Sequence, residues 1–453
     1  PGGAGPAGPA ARSGALTPVP VPLVLSVGVF VVTYICIALE RVNRTVVALS
    51  GAILLLIADV LTLKEAVTEY VHWETVGLLF GMFVIITILS EGGFFAFTAL
   101  WVARKLHYNP YRIFVVFPLV SAFLSAFMDS ITVMLFFATL TYELARLLKF
   151  DPVPVVVAEV TLANIGGAAT LVGDPPNVIL GLMLGFSFND FVIHNGPTAV
   201  VAAGAAIATA YWASRKRLVL STDVDREGLA RMDPVAAIRD PRLFRWGLVA
   251  FLVAVLFLVI HKPVEALGIP LTAALAPLIP AFVVLFAGGH KTEAILRKVD
   301  YEVLLFFIGL FIVVGGLEKT GAISALANAG AELFRGQFLA LISTLMWFSA
   351  VASAIVDNVP FALSMAYVIK GIAQQPGVPA LAIMVWAVSL GADIGGNGTP
   401  IGASANVVAY AAMEKKGLRI GWGRWMRLAI PPTLVALVIC NLGLAIKLWL
   451  RFW

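Results

Sequence analysis

The chain has 453 residues, of which 60% are hydrophobic and only 13% charged, and its mean hydropathy is +0.96. Soluble domains are about half apolar and about one quarter charged, so a string of soluble domains is excluded and a polytopic α-helical membrane protein is indicated. The net charge of +5, from 31 basic and 26 acidic residues, reads as loop bias at a membrane and not as a nucleic-acid surface.

Residues 1–21 are rich in Pro, Gly and Ala and read as a disordered tail. Apolar spans are then expected at 22–39, 45–62 and 75–92, as a broken pair at about 111–148, at 153–188 with an interruption, and at 196–213. A polar linker, 214–243, separates these from spans at 244–262, 270–289 and 303–319, a second broken pair at about 338–370, 380–414 with an interruption, and 427–450. Segments 94–106 and 322–335 are short and amphipathic and are expected at the membrane interface. The runs are continuous and do not alternate as barrel strands would.

Lys and Arg set the orientation. The linker holds Arg215, Lys216, Arg217, Arg226, Arg231, Arg239 and Arg242 and is expected to be cytoplasmic. Arg41/Arg44, Arg104/Lys105/Arg112 with Arg146/Lys149, Lys291/Arg297/Lys298 and Lys415/Lys416/Arg419/Arg424 fall on the same side. That holds only if 111–148 and 338–370 are re-entrant hairpins, which puts both termini outside.

The two halves repeat. Ser125-Ala-Phe-Met-Asp129-Ser130-Ile-Thr132 aligns with Ser353-Ala-Ile-Val-Asp357-Asn358-Val-Pro360 at an offset of 353 − 125 = 228. Asn164-Ile-Gly166-Gly167 with Thr170, Gly173 and Asn177 aligns with Asp393-Ile-Gly395-Gly396 with Thr399, Gly402 and Asn406 at 393 − 164 = 229. The span count between the blocks makes the repeat inverted, so residues 22–213 and 244–453 form two antiparallel units with a midplane site between them.

The chemistry clusters at the helix breaks. Gly and Pro in Gly166-Gly167, Gly173-Asp174-Pro175-Pro176-Asn177 and Gly395-Gly396-Asn397-Gly398-Thr399-Pro400 free backbone groups that lipid does not tolerate unless they line a cavity or are buried in protein. Asp174 before two prolines reads as an N-cap, with its counterpart near Thr399-Pro400. The candidate substrate and ion site is Asp129, Ser130, Thr132, Asn164, Gly166, Gly167, Thr170, Asp174, Asn177, Asp357, Asn358, Asp393, Gly395, Asn397, Thr399, Ser404 and Asn406. Ionisable groups at membrane depth mark ion or substrate routes, which makes Asp129, Asp357, Asp393 and Glu159 the proton-coupling candidates. For Glu159 an interior hydrogen bond is the equal alternative. Cys36 and Cys440 lie in apolar spans and the five histidines are scattered, so neither a disulfide framework, nor a metal-ligand set, nor a catalytic motif is expected.

These motifs resemble the ion-transporter superfamily. The stretch from Ser125 to Thr132, Ala158-Glu159-Val160, and Gly173-Asp-Pro-Pro-Asn-Val178 are most similar to the melanosomal P protein and arsenical efflux pump branch. The resemblance covers most of residues 75–410. It implies an all-α inverted repeat with two re-entrant hairpins and broken helices, an elevator-type stroke, and often a homodimer. The superfamily's dicarboxylate carriers bind substrate through Ser-Asn-Thr triplets at both tips, and those triplets are not kept here. A site with four aspartates and no Lys, Arg or His is also expected to repel a di- or trianion.

Proton-coupled efflux of arsenite or antimonite across a bacterial-type inner membrane is therefore the first expectation. A sodium/proton antiporter and a carboxylate or anion carrier are the alternatives, with a proton or sodium as the coupling ion and no cofactor. No GxxxxGK[ST] loop is present, so ATP-driven pumping would need a separate ATPase subunit.

Overall fold

The computed structural model describes residues 20–39, 41–215, 228–229, 232–288, 291–376, 378, 380–418 and 420–452. Most of the tail expected at 1–21, and Lys216, Arg217, Arg226, Arg231 and Arg419, lie outside the described residues. The described chain is helical throughout, without strands. Seven of its helices are long and apolar enough to cross a membrane, or eight if one bent pair is counted as a span.

The first half consists of α1 (Val21–Ala38), α2 (Arg44–Ile57), α3 (Trp73–Gly92), α4 (Phe94–Lys105), α5 (Pro110–Ser125), α6 (Ser130–Leu148), α7 (Val153–Gly167), α8 (Pro175–Leu184), α9 (Phe188–His194) and α10 (Gly196–Ser214). The second consists of α11 (Pro241–Ala266), α12 (Leu275–Gly288), α13 (Tyr301–Lys319), α14 (Ala322–Leu333), α15 (Phe338–Ser353), α16 (Asn358–Ala373), α17 (Leu381–Gly395), α18 (Ser404–Lys415) and α19 (Trp422–Leu450).

Both expected broken pairs form. Asn109 caps α5 by accepting from the backbone N–H groups of Tyr111 and Arg112, and Pro110 fills the first helical position, where no N–H is needed. Asp129 and Asp357 cap the returning helices α6 and α16. Both interrupted spans are also broken, at 168–174 and 396–403.

Three boundaries differ from expectation. The span expected at 45–62 stops at Ile57, because the chain turns through Asp59 at φ 53°. A helix of 14 residues is about 21 Å long at 1.5 Å per residue and cannot cross a core of about 30 Å. Beyond Leu184 the chain turns at Gly185, φ 83°, and α9 leaves at 114° to α8, where a loop was expected. Its start is a capping box in which the Ser187 hydroxyl accepts from Asp190 N–H and the Asp190 carboxylate accepts from Ser187 N–H. The counterpart of α8 begins at Ser404, not near Thr399-Pro400.

The helices fall into two packing groups. In one, α2 lies against α13, and α3 against α11 and α12. In the other, α5 packs on α7, α15 on α17, α6 on α18, α8 on α16 and α10 on α19. The closest approaches in the second group are made over glycine. A Cβ on Gly166 would lie 2.0 Å from the Ala122 carbonyl oxygen, and one on Gly395 would lie 2.2 Å from Ala350 Cα.

Ion pairs tie the basic loops together at one end. Lys298 pairs with Glu91 at 2.6 Å, Lys416 with Glu143 at 3.1 Å and Arg104 with Asp233 at 3.8 Å, while Lys291 pairs with Asp240 and Arg424 with Asp151. At other connections, Lys319 holds Glu65 at 2.8 Å, which lowers the Glu65 carboxyl to about 2.

The glycine contacts can be tested. G166V and G395V should each lose about 1–3 kcal/mol or more through overpacking, read as a lower unfolding temperature in detergent. G204V, where a Cβ meets nothing within 4 Å, should stay within about 0.5 kcal/mol of wild type. Wild-type melting of G166V would show that α5 and α7 do not approach so closely.

Candidate functional site

The site begins with Asp174. Its two following prolines, Pro175 and Pro176, remove the backbone donors at the first two positions of α8, so little remains for a cap to accept. The side chain makes no capping bond. One carboxylate oxygen instead accepts from the Ser130 hydroxyl and the other from the Asn358 amide, each at 3.0 Å. Ser130 and Asn358 are the first residues of α6 and α16, so the starts of both helices meet on one buried carboxylate.

The tips differ in their second aspartate. Asp129 caps α6 by accepting from Thr132 N–H at 3.0 Å and Thr132 Oγ1 at 3.2 Å. Asp357 accepts from Val359 N–H at 3.2 Å, and its other oxygen takes the Arg44 guanidinium at 2.8 Å. Arg44 Nη1 also donates to Ser404 Oγ at 2.9 Å, and the guanidinium lies 5.1 Å from the centre of the Phe306 ring. Its Nε and Nη2 make no hydrogen bond among the described residues.

A cavity of about 350 Å³ opens beside the tips, lined by Arg44, Asp129, Ile131, Thr132, Ser404, Asp300 and Lys298 and by apolar residues of α3 and α13. A second, of about 460 Å³, runs past Arg41, Asn43, Glu302 and Asp357. Arg44, Ile131, Asp300 and Ser404 border both. The expected site without a cation is thus corrected. Arg44, assigned from sequence to a basic loop, is the first residue of α2 and reaches inward to the second tip.

The remaining candidates hold the breaks together. Asn177 Nδ2 donates to the carbonyls of Gly167 and Thr170, both at 3.0 Å. Its counterpart Asn406 donates to Gly396 at 2.9 Å and Thr399 at 2.7 Å. Thr170 donates to the Ala126 carbonyl and Thr399 to that of Ala354, which fixes each break to the end of its hairpin's first helix. Asn164 Nδ2 bridges the halves, donating to Asn397 Oδ1 at 2.8 Å and Asn406 Oδ1 at 3.0 Å.

Asp393 is fully buried, and neither carboxylate oxygen has a hydrogen-bond partner among the described residues. Glu159 lies apart from the tips. One of its carboxylate oxygens accepts from Thr141 Oγ1 at 2.5 Å, the other has no partner among the described residues, and it borders neither cavity. Asn195 and Ser389 were not anticipated. Asn195 donates to Ser389 Oγ at 2.9 Å, and Ser389 donates to Asn177 Oδ1 at 2.6 Å. No motif surrounds either residue, so their part was not legible.

Residues 34–391 match the CitMHS family, described as a citrate transporter. The chain belongs to that family. An uncharacterized transporter of Mycobacterium tuberculosis is 37% identical over 95% of this chain and 98% of its own length. The 46 kDa membrane protein of Mycobacterium leprae is 35% identical over 95% and 99%. The mouse P protein is 30% identical over 92% of this chain but only 59% of its own length. Among solved structures, the YdaH transporter of Alcanivorax borkumensis superposes with a TM-score of 0.61 at 13% identity, over 96% of this chain and 99% of that one, and shares the fold. These relationships support kinship with the ion-transporter superfamily and secondary transport.

The Asp174 cluster can be tested by truncation. D174A leaves Ser130 and Asn358 facing each other without an acceptor and should cost about 1–3 kcal/mol per stranded group. D174N keeps one acceptor and should lie between D174A and wild type in unfolding temperature. A D174A protein as stable as wild type would show that the tip contacts add nothing.

Proposed function

We propose that this chain is a cation-coupled secondary transporter of small carboxylate solutes. The observation that carries the reading is Arg44, a guanidinium with unused donors that borders both cavities beside the second tip. Arg is suited to bidentate recognition of carboxylate. Membership of a family described by citrate transport supports the same substrate class. An incoming carboxylate meets Asp300 with Asp129 in the first cavity or with Asp357 in the second, so its charge has to be balanced by a co-bound proton or sodium ion. Coupling follows from that requirement.

The elevator stroke is part of the proposal. Two antiparallel units supply hairpins and broken helices that pack mainly with one another, while α2, α3, α11, α12 and α13 form the second group. Few polar links cross between the groups. They include Arg44 to Asp357 and Ser404. The hairpin tips travel past α2, and the middle loop is cytoplasmic with both termini outside an inner membrane.

Efflux of arsenite or antimonite by a member of the arsenical-pump branch is a second reading. The hydroxyl and carboxyl groups of Thr132, Ser404 and Asp129 along the first cavity suit a neutral hydroxylated solute, which would leave the Arg44–Asp357 pair intact. Homodimers and a partner ATPase belong to that reading.

Vesicles reconstituted with the purified protein separate the readings. Citrate, succinate, arsenite, antimonite, sodium and chloride are offered with and without a pH or sodium gradient. Gradient-driven carboxylate uptake is expected, lost in R44Q and partly kept in R44K, which preserves charge but not the planar fork. Arsenite or antimonite movement alone, unaffected by R44Q, would overturn the carboxylate reading.

A further inference from the structure

We propose that Asp393 binds and releases the coupling proton, and that it stands in the present arrangement as a neutral carboxylic acid. The proposal rests on the secondary-transport reading above and names its coupling ion.

The hydrogen-bond inventory around α17 carries it. Asp393 is fully buried, with both oxygens unpartnered. Its polar neighbour is Asn177. An amide has two N–H donors, and those of Asn177 are already given to Gly167 and Thr170. Asn177 therefore has no donor left for a carboxylate, only its Oδ1, which accepts from Ser389 and has room for a second donor. An ionised Asp393 would be a buried charge with no hydrogen bond, which is among the costliest arrangements in a protein interior. A neutral Asp393 removes the buried charge and carries an O–H donor.

The duplicated half shows the same arrangement with an amide. Asn164 occupies the position equivalent to Asp393, and Asn406 the position equivalent to Asn177. Asn164 Nδ2 donates to Asn406 Oδ1 at 3.0 Å. Where one half has a permanent donor, the other has a side chain that donates only while it holds a proton.

The charges on the surrounding elements support this. Glu159 on α7, Tyr367 and Lys370 on α16, and Arg424, Arg427, Cys440 and Lys447 on α19 are the titratable or charged residues on helices packed against α17, and α15 has none. Asp357 heads α16 and Asp174 heads α8. The Asp174 carboxylate lies near enough for its charge to oppose a charge on Asp393. Loss of the proton would place a second anion beside the carboxylate that holds both hairpin tips. Ionisation of Asp393 is therefore compatible only with an arrangement in which the cluster has opened to water. A proton taken from water on one side onto the Asp393 carboxylate, and returned to water on the other, completes the cycle without any bond change elsewhere.

D393N tests the assignment, because it makes the donor permanent. In reconstituted vesicles it should keep exchange of labelled for unlabelled succinate or citrate and lose accumulation driven by a pH gradient. In the purified protein, an infrared band of a protonated carboxylic acid should be present at neutral pH, absent in D393N and shifted in D393E. The infrared arm needs no substrate and D393E keeps the acid, so the assignment stays testable if D393N fails to fold or if the wild type carries no carboxylate. Wild-type pH-driven accumulation by D393N, sodium-driven uptake without proton movement, loss of exchange in a folded D393N, or an acid band indifferent to position 393 would each overturn the proposal.

Discussion

Much of the site depends on one carboxylate receiving two donors from different hairpins. Asp174 accepts from Ser130 and Asn358, and it is free to do so because Pro175 and Pro176 remove the backbone donors that an N-cap would normally engage. Both tips share the acceptor, so any change in charge at Asp174 acts on both. Two separate caps would allow the hairpins to respond independently.

The site is asymmetric on a repeated frame. The Asn177 and Asn406 amides satisfy carbonyls at equivalent positions of the two breaks, and Thr170 and Thr399 fasten those breaks in the same way. Rigid backbone at these places is a requirement of the membrane interior, where an unpaired carbonyl is costly. The differences fall on side chains that point between the halves. Asp174 corresponds to Ala403, Ser130 to Asn358 and Asn164 to Asp393. The matching sequence blocks thus supply the breaks, and the acid and amide differences between them supply the chemistry.

The frame was legible because breaks inside apolar runs require Gly, Pro and capping residues, and these stand out against a lipid-compatible background. The helices α5 to α7 and α15 to α17 follow those signals closely, and α8 starts where Asp174 and its prolines place it. Arg44 was not legible. It sits among loop cations, and its role depends on a long side chain turning inward from the first turn of a helix too short to span the bilayer. Its position supplies the cation whose absence counted against a carboxylate, while the Ser-Asn-Thr triplets are still not kept at the tips. The Asn195–Ser389–Asn177 relay was hidden for a different reason: a buried Ser or Asn in an apolar helix announces nothing until its partner, about two hundred residues away, is known.

The pairing of Arg44 with Asp357 also bears on how binding could become movement. Both side chains are partly exposed, 30% and 14%, and an ion pair in contact with water contributes about 1 kcal/mol or less. A substrate carboxylate entering the adjoining cavity offers the guanidinium an equivalent partner, with Nε and Nη2 still free to make the second bond of a fork. Exchange of one acceptor for another costs little at Arg44, yet it releases Asp357 and, with it, the start of α16. On the carboxylate reading, Arg44 would then loosen the start of α16 from α2 on occupancy.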